Sequence, residues 1–212
     1  MQNNGGKPLI WTGLLLIAAA ILLTGYNMWE SKRAEAENKV IVEQLEEVIP
    51  EPTRPETAPI PEPAVPEEEI PDYILNPNME MPTETVNGYE YIGVLEIPEL
   101  ELKLPVMSTW SYPKLRVAPC RYEGSVYSRN LIIAAHNYNS HFGRLRQLHV
   151  GSQFTFTDVD GNIFSYEVIS LETLMPTAVE EMESGDWDLT LFTCTVGGRT
   201  RVVVRCALDM DG

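Results

Sequence analysis

The sequence predicts an all-β domain, an eight-stranded closed antiparallel β-barrel or a sandwich with short helices. One transmembrane helix and a proline-rich linker precede it. Three observations carry this expectation. Eight short runs rich in β-branched and aromatic residues follow one another at regular spacing from residue 83 onward. One uncharged stretch of 22 residues, Pro8 to Trp29, lies near the N-terminus. Ten of the 16 prolines fall between Pro50 and Pro82.

The anchor is taken as residues 1–30. Twenty-two residues at about 1.5 Å each span a hydrocarbon core of roughly 30 Å. Trp11, Tyr26 and Trp29 stand near its ends, as interfacial aromatics do. A cleaved signal peptide is the alternative, but the apolar stretch is long for one and no A-x-A site follows it before the charges begin. Positive charges flank both ends, Lys7 before and Lys32 and Arg33 after, so charge leaves the orientation open. Residues 31–49 are strong helix formers, with Val40, Ile41, Leu45 and Val48 on roughly one face. They read as a solvated juxtamembrane stalk or as a weak self-association stripe. Residues 50–82 carry eight Asp/Glu against one Arg and read as a disordered, extended spacer. The other reading of this segment is a ligand for a proline-binding domain.

Residues 83–212 form the folded unit. Its strands are expected at Tyr91–Ile97, Leu100–Val106, Leu115–Cys120, Asn130–His136, Gln153–Asp158, Ile163–Leu171, Leu189–Cys194 and Arg201–Leu208. Asp158 to Asn162 (DVDGN) has the chemistry of a hairpin turn, with Gly161 free to take positive φ. Short helices fit Ser140–Leu148 and Pro176–Ser184. The formal charge of −16, from 15 Lys+Arg and 31 Asp+Glu, leaves nothing to neutralise a run of phosphates and excludes nucleic acid as a partner.

Three cysteines leave at least one thiol free. Cys194 ends the strand LTLFTC and opens TVGGRTR, a flexible and basic loop that favours thiolate. Cys206, inside RVVVRCAL, reads as a small buried hydrophobe, and a Cys120–Cys206 disulfide is a further arrangement. His136 ends the strand NLIIAAH, where it presents a ring nitrogen to a nucleophile or serves as a structural histidine. His141 and His149 lack that framing. Arg201 starts the strand after the cysteine loop, so a short hairpin returns it beside the thiol, where it lowers the thiol pKa or binds an oxyanion. Arg199 and Arg205 share its face by period-two alternation and rival it. Scattered histidines without CxxC, HxH or HExxH spacing argue against a zinc site.

Taken in order, NLIIAAHN (130–137), LTLFTC (189–194) and RTRVVVR (199–205) resemble the sortases, Gram-positive cell-surface cysteine transpeptidases with an eight-stranded β-barrel. YIGVLEIPELELKLPV (91–106) is similar to the family's opening strands, and RYEGS (121–125) to its HYEGT-type segment. The resemblance implies Cys194 as nucleophile, His136 as general acid/base and Arg201 as oxyanion stabiliser. It implies cleavage of an LPxTG-like sorting motif through a thioester. The acyl group then passes from a surface protein or pilin to an amine of peptidoglycan precursor or pilin. It also implies a single-pass cell-membrane protein with the catalytic domain outside. No cofactor is expected. Glu180, Glu181 and Glu183 stand near where calcium-dependent members bind their ion, and also read as a solvated face. AHN (135–137) followed by HFGRL resembles class B, yet the stretch from Leu171 to Leu189 has no room for that class's helical insertion, and no DPW-like lid is present. A protease-like or L,D-transpeptidase-like cysteine enzyme and a non-catalytic surface binding module remain the alternative readings.

Overall fold

The computed structural model describes residues 6–50 and 71–209. Helix α1 (Gly6–Val48) is followed by the single-turn helix α2 (Asp72–Leu75) and nine strands. These are β1 (Glu84–Val86), β2 (Tyr89–Ile97), β3 (Leu102–Met107), β4 (Cys120–Glu123), β5 (Leu131–Ala135), β6 (Gln153–Asp158), β7 (Ile163–Leu174), β8 (Leu189–Cys194) and β9 (Arg201–Leu208). One-turn helices α3 (Tyr112–Leu115) and α4 (Val179–Glu183) interrupt the strand series.

The hydrogen-bonded order β2-β3-β4-β5-β8-β9-β7-β6 closes on itself through antiparallel pairing of β2 with β6, giving the eight-stranded barrel; β1 extends β2 as a hairpin outside the ring. Gly93 permits the closure, because a Cβ there would lie 2.0 Å from the Thr157 carbonyl oxygen. Alternate residues fill the interior: Leu131, Ile133, Phe154, Phe156, Leu189, Leu191, Val202 and Val204 belong to one buried cluster. The barrel is not wholly antiparallel. β5 and β8 run parallel over five residue pairs, and β3 meets β4 in parallel at Met107 and Cys120.

Seven of the eight expected strands lie where the β-branched and aromatic runs put them. The exception is Leu115–Cys120. Ser111 caps a helical turn there by accepting from the Lys114 N–H, and Pro113 sits in the first turn, so the strand begins only at Cys120. Ser140–Leu148 retains a 3-10 turn at Leu145–Gln147, and Pro176–Ser184 holds α4. The 158–162 turn forms as expected: the Asp158 carboxylate accepts from the Asp160 and Asn162 backbone N–H groups, and Gly161 has φ +84°.

The N-terminal helix departs from the solvated stalk. The apolar span and residues 31–48 form one continuous helix whose second half lies on the barrel. Ala34, Asn38, Ile41, Val42 and Leu45 are buried, one face at three- and four-residue spacing, whereas Val40 and Val48 point to solvent. Ile41, Val42 and Leu45 pack on Tyr91, Val94, Met107, Ala118 and Cys120. Residues 51–70 of the expected linker lie outside the described residues. Both flanks of that stretch are on the barrel: the Pro50 carbonyl abuts Gly161, and the Tyr73 ring stacks on Tyr127 with centroids 4.9 Å apart. Met81 is buried in the main core, so ordered packing begins before residue 83.

The helix is also pinned by polar contacts. Ser140 Oγ donates to the Ser31 carbonyl at 3.0 Å, and Asn38 Nδ2 lies 2.8 Å from His141 Nε2. His141 is fully buried; burial, together with neighbouring His136, pushes its pKa down from 6.5 to about 4. A histidine whose folded pKa is depressed binds fewer protons folded than unfolded between those values. Stability therefore falls as pH drops from 6.5 towards 4, by about 3 kcal/mol. His141→Gln should flatten that acid limb in urea titrations of the full chain in detergent; an unchanged pH slope would show that His141 does not govern it.

Candidate active site

The parallel pairing of β5 with β8 builds the site. Its last pair is Ala135 with Thr193, so His136 and Cys194 are the next residues of two adjacent strands leaving the barrel at the same end. Thr193 Oγ1 donates to the Ala135 carbonyl at 2.8 Å and ties the strands directly beneath them. Cys194 and Arg201 are direct cross-strand partners of β8 and β9. All three sequence-predicted site residues thus converge at one end of the barrel.

The turn that returns the chain is ordered by hydrogen bonds rather than loose. Thr195 N–H donates to the Thr200 carbonyl at 2.9 Å, and the Thr195 hydroxyl accepts from Thr200 N–H at 3.1 Å. Gly197 and Gly198 carry φ of +82° and +70°, values that suit a tight hairpin and few side chains. Arg201 Nη1 donates to the Gly198 and Thr200 carbonyls, each at 3.3 Å, which holds the guanidinium at the base of this hairpin.

Cys194 is partly exposed and unpaired, while Cys120 and Cys206 are fully buried free thiols. The Cys120–Cys206 disulfide is therefore not formed. Burial raises the Cys120 pKa to about 12 and lifts that of Cys206 further, so both stay protonated and inert. His136 is half-buried and stacks on Tyr138 with centroids 4.9 Å apart. Burial, and secondarily the positive charge of Arg116, lower its pKa below 6.5, so the ring is neutral at pH 7.

The three arginines of β9 and its hairpin separate cleanly. Arg199 is exposed. Arg205 is fully buried: it donates to the carbonyls of Met182 at 2.9 Å and Glu181 at 2.5 Å and to Thr190 Oγ1 at 3.0 Å, and it lies under the Trp187 ring. Its guanidinium, which also donates to Glu172 Oε1 at 3.3 Å, clamps α4 to the outer face of β8 and β9, four residues along β9 from Arg201. Sequence reasoning missed this role, although a charged residue inside RVVVRCAL was a signal that a partner must exist. Glu183 of α4 accepts from the Tyr122 hydroxyl at 3.2 Å. Among the described residues no three His, Cys, Asp or Glu side chains gather as a metal site.

Two hollows flank the site. A cleft of about 600 Å³ is lined by Met79, Trp110, Arg121, Tyr122 and Ser128. From it an aromatic path runs toward the thiol: Trp110 contacts Tyr122, and Tyr122 meets Phe192 edge-on at 5.4 Å. Phe192 lies two residues before Cys194, on the same face of β8. The second, about 1170 Å³, lies between α1, the start of β3 and the loop after His136, with Val196 on its border.

Replacing Arg205 strips the buried Met182 carbonyl and Thr190 hydroxyl, and the part-buried Glu181 carbonyl and Glu172 carboxylate, of their donor, so Arg205→Met should cost roughly 2–4 kcal/mol. Arg199→Met should stay within about 0.5 kcal/mol. Equal urea midpoints for the two variants would contradict the clamp.

Comparison with known proteins follows the same outline. A family model described as Sortase domain matches residues 95–209. Among solved structures, sortase C1 of GBS pilus island 1 superposes with a TM-score of 0.50 at 22% identity, covering 56% of this chain and 64% of that one. Sortase C1 from Streptococcus agalactiae gives 0.52 at 24%, covering 60% and 72%. A Clostridium perfringens sortase D5 transpeptidase gives 0.50 at 22%, covering 59% and 82%. No curated protein matches. The chain thus spans 64% of the length of the first structure, and these identities speak for the fold alone. The family match covers more than half of the chain, and by it the chain belongs to the sortase family.

Proposed function

We propose that the chain is a membrane-anchored cysteine transpeptidase with Cys194 as nucleophile, His136 as general acid/base and Arg201 as oxyanion donor. The observation that supports it is the parallel β5–β8 register, with His136 beside Cys194 and Arg201 paired to it across β9. Neutral His136 takes the Cys194 proton as sulfur attacks the carbonyl carbon of a sorting-motif peptide. The Arg201 guanidinium, released from the hairpin carbonyls, stabilises the tetrahedral oxyanion. Collapse breaks the C–N bond, His136 returns the proton to the leaving amine, and an acyl thioester remains on Cys194. An acceptor amine then attacks the thioester, loses its proton to His136, and releases the Cys194 thiol with a new amide. No cofactor enters either half-reaction.

The peptide fits the cleft lined by Trp110 and Tyr122, whose aromatic path ends beside Cys194. An LPxTG-like motif, and an acceptor amine from cell-wall precursor or pilin, complete this reading. The apolar half of α1 anchors the chain with the barrel outside the cell.

Intact-protein mass spectrometry of the full chain in detergent, incubated with LPxTG-like peptides, tests it. The expected result is a mass increase equal to the peptide's N-terminal fragment, located on Cys194 and discharged by an added amine. His136→Ala and Arg201→Ala should each slow adduct formation by about 10²-fold or more. Undiminished turnover by Cys194→Ala would overturn the reading. A thiol-unreactive Cys194 in the folded chain would favour a binding module instead.

A further inference from the structure

We propose that the end of the barrel carrying Cys194 and His136 rests on the bilayer surface, with the tip of the β8–β9 hairpin at Val196 set into the headgroup layer. The proposal rests on the reading of α1 as a membrane anchor. α1 runs unbroken from the apolar span onto the barrel, so the docking contacts fix how far the site stands from the lipid. Trp29 ends the uncharged span, and Ser31, which accepts from Ser140, is two residues farther on, about 3 Å along the axis. The headgroup layer of one leaflet is itself roughly 5–7 Å deep. The Ser140 loop, and His136 four residues before it, therefore lie at headgroup level. Glu30, the residue before Ser31, lines the same hollow as His136 and Tyr138.

The hairpin supports this geometry. Val196 is 92% exposed at the tip of the hydrogen-bonded hairpin, an apolar side chain presented outward. It borders the same hollow as Thr24, Asn27 and Met28, residues of the apolar span itself. Exposed Lys32, Arg116 and Arg199 stand at this end, whereas Arg33 is paired with Glu37 at 2.7 Å and Glu30 and Glu35 lie among them, so the apolar tip and the unbroken helix, not net charge, carry the placement. The site would then draw on peptides and amines held at the membrane rather than on freely diffusing ones.

The test uses the full chain in vesicles of phosphatidylcholine and phosphatidylglycerol that contain a headgroup-nitroxide lipid. In a Cys194→Ala background, whose two remaining thiols are buried, an environment-sensitive fluorophore is attached through Val196→Cys, Trp29→Cys or Ile163→Cys. Ile163 lies beyond the far end of α1's docked half, roughly 25 Å from Ser31 along that helix. The proposal expects strong quenching at 196 and 29 and little at 163. Quenching at 29 without quenching at 196 would overturn it while leaving the anchor intact, and so would equal quenching at 196 and 163. No quenching at 29 would remove the anchor reading and this proposal together.

Discussion

The parallel pairing of β5 with β8 is the constraint on which the site depends. Parallel neighbours end on the same side of a sheet, so residues far apart in sequence, His136 and Cys194, leave the barrel together. An antiparallel pair would send one of them to the opposite end. The pairing requires a long crossover, and β6, β7 and α4 are that crossover; two of them complete the barrel wall on the way. β9 then returns through a six-residue hairpin and sets Arg201 against Cys194. The hydrogen bond from Thr193 to the Ala135 carbonyl fastens the two strands at the point where a slip of register would separate the pair.

The docked half of α1 is the second constraint. It covers the outer face formed by β2, β3 and β4, where Tyr91, Val94, Met107 and Cys120 would otherwise meet water. The seal has polar costs: Tyr91 Oη and Asn38 Oδ1 are buried with no hydrogen-bond partner among the described residues. What those costs accompany is a fixed orientation. The Ser31–Ser140 and Asn38–His141 contacts fix how the barrel is oriented relative to the apolar half of α1. The acidic proline-rich stretch begins and ends on the barrel, so α1 alone sets the distance between span and site.

Much of this was legible in sequence, for identifiable reasons. The strands are short runs of β-branched and aromatic residues between turn signals, and seven of eight could be read from that composition. Leu115–Cys120 was misread because its β-branched and apolar residues outweighed the local signals, Ser111 and Pro113, that start a helical turn. Cys194, His136 and Arg201 stood out because each is a chemically capable residue at a strand end. Their adjacency did not follow from composition, since nothing local in NLIIAAH announces LTLFTC as its parallel neighbour. The docked stripe of α1 was hidden because Ala34 and Asn38 look neither apolar nor continuous with Ile41 and Leu45. Arg205 was grouped with its solvent-facing neighbours because alternation along β9 says nothing of α4 lying over that face.

The central claim is that Cys194 and His136 form one chemical unit. The most direct measurement is the rate at which iodoacetamide alkylates Cys194 as a function of pH, in the wild-type chain and in His136→Ala. Coupling predicts two inflections in the wild type, with the one below pH 6.5 belonging to His136 and absent from the variant. Superimposable profiles would contradict the claim, because a histidine beside the thiol cannot change charge without changing the sulfur's reactivity.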